Sequence, residues 1–397
     1  MGRIDEMIQR LCPDGVEYKK LGQVAEIGTG SSNTQDQVEN GDYPFYVRSS
    51  EVKRSDTYEF DETAIITAGD GEVGKVFHFA EGKYALHQRA YRVHVTSSEL
   101  MPRFCYWYMV GRFQGYVEMK ACSATVMSLR KPMFLEFPIP VPPLDIQHEV
   151  VRVLDSFAEL EAELKAELEA RKAQYAHYRD KLLSRESLEA MAGAPVNLAP
   201  LGELGTFSRG RRFTKADYVD EGIPSIHYAE IYTRFGTSTN KAFSFVRPDK
   251  ANSLRYAQYG DLVIACTGED AKDIAKAVVW LGEEPVAVHD DCSIYRHSLN
   301  PKYVSYFFQT SSFSRLKEMY STEAKMTRIS AKRLAAIEIP VPPPSVQQKV
   351  VDILDRFESL TTSLTDGLSA EIEARRQQYE YYRDRLLDFP RKEEATS

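Results

Sequence analysis

The sequence predicts an α+β chain with a pseudo-two-fold internal repeat: two mixed α/β globules, each followed by a long helix, the two helices packing as a coiled coil. Three observations predict it. The five letters IPVPP occur at residues 139–143 and return at residues 339–343. Each copy opens a charged, Leu- and Tyr-rich run, "IPVPPLDIQHEVVRVLDSFAEL" and "IPVPPPSVQQKVVDILDRFESL", and the two share Gln147/Gln347, Val150/Val350, Leu154/Leu354, Asp155/Asp355 and Phe157/Phe357. Upstream, "LGQVAEIGTG" faces "LGELGTFSRG" at an offset of 180, with Pro44 facing Pro224. Self-similarity at a fixed offset marks a duplicated structural unit. The boundaries fall at residues 1–137 and 191–337 for the globules and at residues 138–190 and 338–397 for the helical segments.

The helices follow from the spacing of apolar residues. In the first copy Val150, Leu154, Phe157, Glu161, Leu164, Leu168, Arg171, Tyr175, Tyr178 and Leu182 step by four and three, the a/d seam of a coiled coil with two polar interruptions. In the second the seam reads Val350, Leu354, Phe357, Thr361, Leu364, Leu368, Ile372, Arg375, Tyr379, Tyr382 and Leu386. The extra step of four after Leu364 is a stutter, which unwinds a supercoil locally. It matches a shift in offset from 200 to 204 between "ARKAQYAHYRDKLL" and "ARRQQYEYYRDRLL", so the second copy has gained about one helical turn. The Pro-Pro pair marks the start of each helix, because proline is tolerated in the first turn and forces extension on the residue before it. About 40 residues at ~1.5 Å each make a rod of ~60 Å. A helix apolar along one stripe needs a partner, and its own repeat is the nearest; folding back on its own globule is the alternative.

Within the globules "AIITAGDG" and "LVIACTGED" read as buried strands ending in turns, as do "YALHQRAYRV" and "PVAVHDDCSI" around His87 and His289. "PRFCYWYMVGRF" and "PKYVSYFFQTSSFSRLKEMY" read as helices with Pro102 and Pro301 in the first turn.

Composition bounds the function. With 397 residues, 43% apolar and 27% charged, the chain is an ordinary globular one with room for two or three cores. Cys12, Cys105, Cys122, Cys266 and Cys292 are odd in number and scattered, supporting neither a disulfide framework nor a zinc site. The N-terminus lacks a signal-peptide core and no run approaches the ~18 apolar residues of a membrane span, so a soluble cytoplasmic protein is expected. The net charge of -8 divides into -3, -4, +3 and -4 over the four segments, so the helical runs carry the acidic excess. Only the face presented to phosphate matters for DNA, and the total does not exclude it.

Catalytic constellations are missing. There is no GxxxxGK[ST] loop, HExxH, GxSxG or Asn/Asp-Pro-Pro-aromatic motif, and "GTG" at residues 28–30 and "GDGEVG" at residues 69–74 read as turns between strands. His87 and His289, just past apolar runs, read as hydrogen-bonded strand-end histidines. No catalytic residue and no metal ligand is assigned. Basic and polar residues do cluster around aromatic and Gly turns: Arg48, Lys53 and Arg54; Ser128, Arg130 and Lys131; Arg209, Arg211, Arg212 and Lys215; and Lys325, Thr327, Arg328 and Lys332. Arg donates bidentately to guanine in the major groove, while Ser, Thr and Lys more often hold phosphates. Any one of these residues alone reads as solvated surface, but recurrence in both halves points to DNA.

The doubled plan of a variable globule, "IPVPPLDIQHEVVRVLD" and a Tyr-rich charged helix ending "YRDKLL" or "YRDRLL" resembles the specificity (S) subunit of type I restriction-modification enzymes over nearly the full length. The chain departs from that family's Gly-Ser/Thr-Gln turn before each signature, where "ATVM" and "AKMT" stand instead. The resemblance implies two target-recognition domains, each reading one half of an asymmetric bipartite site in double-stranded DNA, separated by two antiparallel helices acting as a ruler. It implies a non-catalytic chain that docks two modification subunits, which methylate adenine with S-adenosylmethionine, and restriction subunits that translocate DNA. It further implies that the chain binds no cofactor, S-adenosylmethionine, ATP and Mg belonging to the partners, and that no membrane is involved. The competing readings are a self-contained methyltransferase or nuclease, against which the missing motifs argue, and a coiled-coil scaffold whose globules bind protein, which predicts no salt-dependent DNA affinity.

Overall fold

The computed structural model describes residues 2–120, 130–268, 274–320 and 327–392. It divides into two compact units, one comprising Met1–Ala166 with Ser369–Ser397 and the other Glu167–Leu368. Both boundaries fall inside long helices, Leu144–Leu182 and Pro344–Leu386. These run for 39 and 43 residues, so the four-residue gain in the repeat is a longer second rod. At 1.5 Å per residue they span ~58 and ~64 Å. No helix among the described residues is long and apolar enough to cross a membrane.

The faint repeat between the globules is a repeat of topology. In the first unit strands Ala25–Thr29, Ala90–Val95, Ala64–Ala68 and Phe77–Ala80 form an antiparallel sheet in that spatial order. A second sheet orders Lys53–Ser55, Tyr43–Tyr46, Lys83–Leu86 and Phe60–Asp61, its central pair parallel. The second unit repeats both. Gly205–Arg209, Cys292–His297, Leu262–Ala265 and Ala277–Trp280 make the first sheet, and Ser244–Val246, Ile223–Ile226, Val286–Val288 and Tyr256–Ala257 the second, again with a parallel central pair. Short edge strands Ser238–Thr239 and Tyr218–Val219 extend them. All residues of Ala64–Ala68 and Leu262–Ala265 are buried, as expected of strands covered on both faces.

One core of each unit lies between the first sheet and a helix. In the first unit that helix, Pro102–Lys120, buries Phe104, Trp107, Met109, Phe113 and Val117 among its residues. In the second a single helix was expected from Pro301 onward, but the structure breaks it into Pro301–Phe307 and Ser311–Tyr320. Thr310 is the cause: its Oγ1 donates to the Phe307 carbonyl at 2.7 Å and accepts from Phe313 N at 3.2 Å, ending one helix and capping the next.

The two IPVPP stretches begin in short strands. Pro138–Pro140 pairs antiparallel with Tyr18–Lys20, and Glu338–Val341 with Asn197–Pro200, burying Ile139 and Ile339 completely. Each stretch is thus pinned to the start of its own globule. The duplicated Gln and Asp complete the joint. Gln147 Nε2 donates to the Glu99 and Pro142 carbonyls, both at 2.7 Å, and its Oε1 accepts from Met101 N at 2.8 Å. Gln347 Nε2 donates to the Pro342 carbonyl at 2.8 Å and its Oε1 accepts from Asn300 N at 2.9 Å. Asp155 accepts from Arg103 and Trp107; Asp355, at the matching place, accepts from Lys302 and Tyr306.

The seam expected from periodicity divides by position. Val150, Leu154, Val350 and Leu354 are fully buried in cores where globule and helix meet, so the first turns of each long helix do fold onto their own globule. Beyond them the N-terminal half of one helix meets the C-terminal half of the other within each unit, an antiparallel relation. Phe157 stacks on Tyr382 at 5.7 Å and approaches Tyr379 at 6.3 Å in the first unit; Phe357 stacks on Tyr178 at 5.8 Å in the second. Leu164, Leu168, Tyr175, Leu182, Leu368 and Ile372 are half-buried, and Leu386 is buried.

Leu364 is the correction: it is 54% exposed. The half-buried row of the second helix runs through Glu358, Thr361, Thr365, Leu368 and Ile372, placing the stutter before Glu358 rather than after Leu364. Glu358 takes the inner position, where Thr237 Oγ1 donates to its carboxylate and Tyr306 Oη, with one proton to share, lies 2.7 Å from both Glu358 and Asp355.

Candidate nucleic-acid interface

Strand direction gathers four loops at one end of each unit. Thr29 lies opposite Tyr91 and Ala68 opposite Ala90, while Tyr46 and Leu86 end side by side in parallel. The loops after residues 29, 46, 68 and 86 therefore converge. The same holds in the second unit after residues 209, 226, 265 and 288.

Two glycines permit the close approach. A Cβ on Gly30 would lie 1.8 Å from the Leu86 carbonyl oxygen, and one on Gly210 would lie 2.1 Å from the His289 carbonyl oxygen. This is why the repeat "LGxx…G" ends on glycine in both copies. Beside each sits the strand-end histidine with both ring nitrogens near polar partners. His87 Nδ1 accepts from Arg89 N at 3.0 Å and Nε2 lies 3.5 Å from Thr34 Oγ1. His289 Nε2 lies 3.0 Å from the Phe213 carbonyl oxygen and Nδ1 lies 3.3 Å from Asp291 N. Burial, then the charges of Arg48 and Arg89, push the pKa of His87 down, so it is a neutral part of the floor.

In the first unit the cleft so formed encloses about 320 Å³ and is lined by Thr34, Gln37, Arg48, Ser49, Asp70 and His87, among others. Arg48 Nη1 bonds Asp70 Oδ1 at 2.6 Å, and Arg89 Nη1 reaches Asp70 Oδ2 at 3.4 Å. The hydrogen bond from Arg48 holds the Asp70 carboxyl below the usual range. Lys53 lines the same cleft and pairs with Glu51 at 2.5 Å. Arg54 behaves differently: its Nε and Nη2 donate to the Gly41 and Asp42 carbonyls, both at 2.9 Å, which ties a hairpin together. Arg130 and Lys131 are exposed at the start of the short helix Lys131–Leu135, apart from this cleft.

In the second unit a cleft of about 390 Å³ is lined by Arg209, Thr267, Asp290, Asp291, Arg328 and Arg333, among others. The structure thus brings Arg209 and Arg328 together. Arg209 Nε donates to the Asp290 carbonyl at 2.7 Å and Nη2 pairs with its carboxylate at 3.2 Å. Arg328 is placed by strand Thr327–Arg328, which pairs with Thr267–Gly268. Arg211, Arg212 and Lys215 are exposed on the loop beyond Arg209, and Lys332 is exposed on the short helix Ala331–Ala335. Ser128 and Lys325 lie outside the described residues, as does the side chain of Thr327.

Sequence reasoning missed Arg89 and its partner Asp70, Asp290 and Asp291, and Arg333. The signal for Arg89 was available: "HQRAY" and "HDDCS" occupy the same turn, with opposite charge in the two copies.

A sequence profile described as the type I restriction modification DNA specificity domain matches residues 13–170 and again residues 195–374. This chain belongs to the type I restriction-modification DNA specificity family. The family is the non-catalytic specificity subunit of its systems, so the specificity chain is not itself an enzyme, and it works in an assembly with the other subunits and DNA. Among its relatives is the Escherichia coli EcoR124I/EcoR124II specificity subunit, 32% identical over 273 residues, which are 66% of this chain and 65% of that one. A putative type I specificity subunit of Haemophilus influenzae is 27% identical over 404 residues, covering 94% of this chain and 96% of the relative. The specificity fold is shared with the crystal structure of an S subunit from M. genitalium, at a TM-score of 0.50 and 16% identity over 94% of this chain and 96% of that one. It is shared also with a chain solved in a study of type I complex assembly and conformational transition, at a TM-score of 0.55 and 15% identity over 94% and 97%.

Proposed function

We propose that residues 1–137 and residues 191–337 are target-recognition domains, each reading one half of an asymmetric bipartite site in double-stranded DNA through the loop end just described. Residues 138–190 and 338–397 are the helical spacers, which set the separation of the half-sites and dock two modification subunits, joined in the full enzyme by restriction subunits. S-adenosylmethionine, ATP and Mg are assigned to those partners and the assembly to the cytoplasm. The observation that carries this reading is the recurrence of one loop cluster on one topology with different side chains, residues 87–89 against residues 289–291. A shared scaffold with divergent tips is what two readers of different base sequences require, since base edges are read by side chains and phosphates by position.

The test is to express the chain with its cognate modification subunit and map methylated adenines across the host genome. A bipartite motif with a fixed spacer is expected. Deleting four residues around Gly367 shortens the second rod by ~6 Å, so the spacer should change by about two base-pair steps of ~3.4 Å. A methylation pattern without two half-sites overturns the reading, and an unaltered spacer overturns the ruler.

A further inference from the structure

At the loop end of the first unit one carboxylate stands between two arginines. Asp70 Oδ1 is bonded to Arg48 and Oδ2 faces Arg89, so both oxygens are occupied within the protein. Each guanidinium gives one nitrogen to this contact and keeps the rest of its five N–H donors. The Arg48 and Arg89 side chains are 43% and 60% exposed, against 26% for Asp70. The acid lies behind and the donors lie in front.

Two readings of such donors compete. A phosphate-binding arginine can also use its fork, but it depends on net charge, and a carboxylate set between two cations works against it by cancelling half of their local charge. A base-reading arginine needs its plane held, and a shared carboxylate does that for both side chains while relieving their mutual repulsion. The surroundings agree with the second. Arg48 and Asp70 line a concave cleft, with Arg89 held beside it through Asp70. Its walls carry Thr34, Gln37 and Ser49 over a neutral His87, with Lys53 and Glu72 also in the lining, so neutral hydrogen-bonding groups suited to a base edge lie next to Arg48. Guanine offers O6 and N7 as a pair of acceptors matched to a guanidinium fork. Resting on the DNA-reading role proposed above, we propose that Arg48 and Arg89 read guanine in the first half-site and that Asp70 is the positioning residue that presents them.

The experiment uses the full chain in complex with its modification subunit, acting on DNA libraries randomised in each half-site, with binding measured over a salt series. Arg48→Lys and Arg89→Lys keep the charge and lose the fork. Each should relax the preference for guanine at one position of the first half-site by about tenfold or more, leaving the second half-site and the salt slope as in wild type. Asp70→Asn should weaken guanine preference at both positions together, with thermal melting reporting that the fold is intact. Should it fail to fold, the two lysine variants decide alone. Lysine variants that leave every base preference unchanged, together with Arg48→Ala or Arg89→Ala variants that lose affinity uniformly while the salt slope falls by about 0.9 per arginine, would assign these residues to phosphate and overturn the proposal. A wild-type complex with no half-site preference overturns the DNA-reading role itself, which is a separate result.

Discussion

The two units agree at one end and differ at the other. Where each long helix meets its globule, the same residue types make the same bonds: a glutamine to main-chain groups, and an aspartate that takes one bond from a cation and one from an aromatic residue four positions on. At the loop end the matching turns carry Gln88 and Arg89 in one unit and Asp290 and Asp291 in the other, on the same strands. The joint and the divergent loops thus lie at opposite ends of one sheet plan.

The joint is the place to break this likeness most severely. Gln147→Leu leaves three main-chain partners unsatisfied and Gln347→Leu leaves two. At ~1–3 kcal/mol for a buried polar group left alone, losses of about 2–4 kcal/mol are expected, larger for the first. Denaturant unfolding followed by near-ultraviolet circular dichroism would measure them, and equal small losses would show the glutamines to be incidental.

The loop end should respond in affinity instead. Replacing Arg209, Arg211 and Arg212 together by Ala should weaken DNA binding and lower the salt slope by up to ~2.7 if all three contact phosphate, with any change of motif confined to one half-site. Full affinity with an unchanged methylation motif removes them from the interface.

A subtler contrast lies in the sheet. The registers place His297 of the second unit where the first has Val95. Burial pushes the His297 pKa down to about 4, and its Nε2 has no hydrogen-bond partner among the described residues. A depressed histidine pKa means that the unfolded chain binds the proton first. Its stabilising contribution is complete above ~6.5 and is lost as pH falls toward 4. Hydrogen exchange should show Leu262–Ala265 losing protection over that window while Ala64–Ala68 keeps it, and His297→Val should abolish the difference.

The smallest effect is expected at Arg54. Its two bonds to the Gly41 and Asp42 carbonyls make it a hairpin tie, so Arg54→Ala should cost about 1–2 kcal/mol of stability and leave the methylation motif unchanged. A changed motif would return Arg54 to the reading surface.

Much of this fold was legible because it is encoded locally. Helix periodicity, the Pro-Pro start and the doubled Gln and Asp are all visible along the chain. Most of their partners are not: apart from Pro142, Gln147 and Asp155 are bonded to residues 46 to 52 positions away, and nothing local announces Met101 or Trp107. Leu364 shows the limit of periodicity. Leucine outranks glutamate as a seam residue, yet contacts from Thr237 and Tyr306, more than 50 positions distant, draw Glu358 inward and turn Leu364 out. The site was legible as a class of residue rather than as a surface. Arg48 and Arg54 lie six positions apart in one basic cluster, and only the pairing of strands shows that one faces the cleft and the other ties a turn.

Among the described residues the glutamine at each joint hydrogen-bonds only to peptide groups. A side chain bonded to main-chain groups imposes no demand on the identity of the residues that supply them. The globule can accumulate substitutions, even wholesale replacement of its loops, and still seat on the same rod. Such a joint leaves the loop end free to change without a compensating change in the long helices.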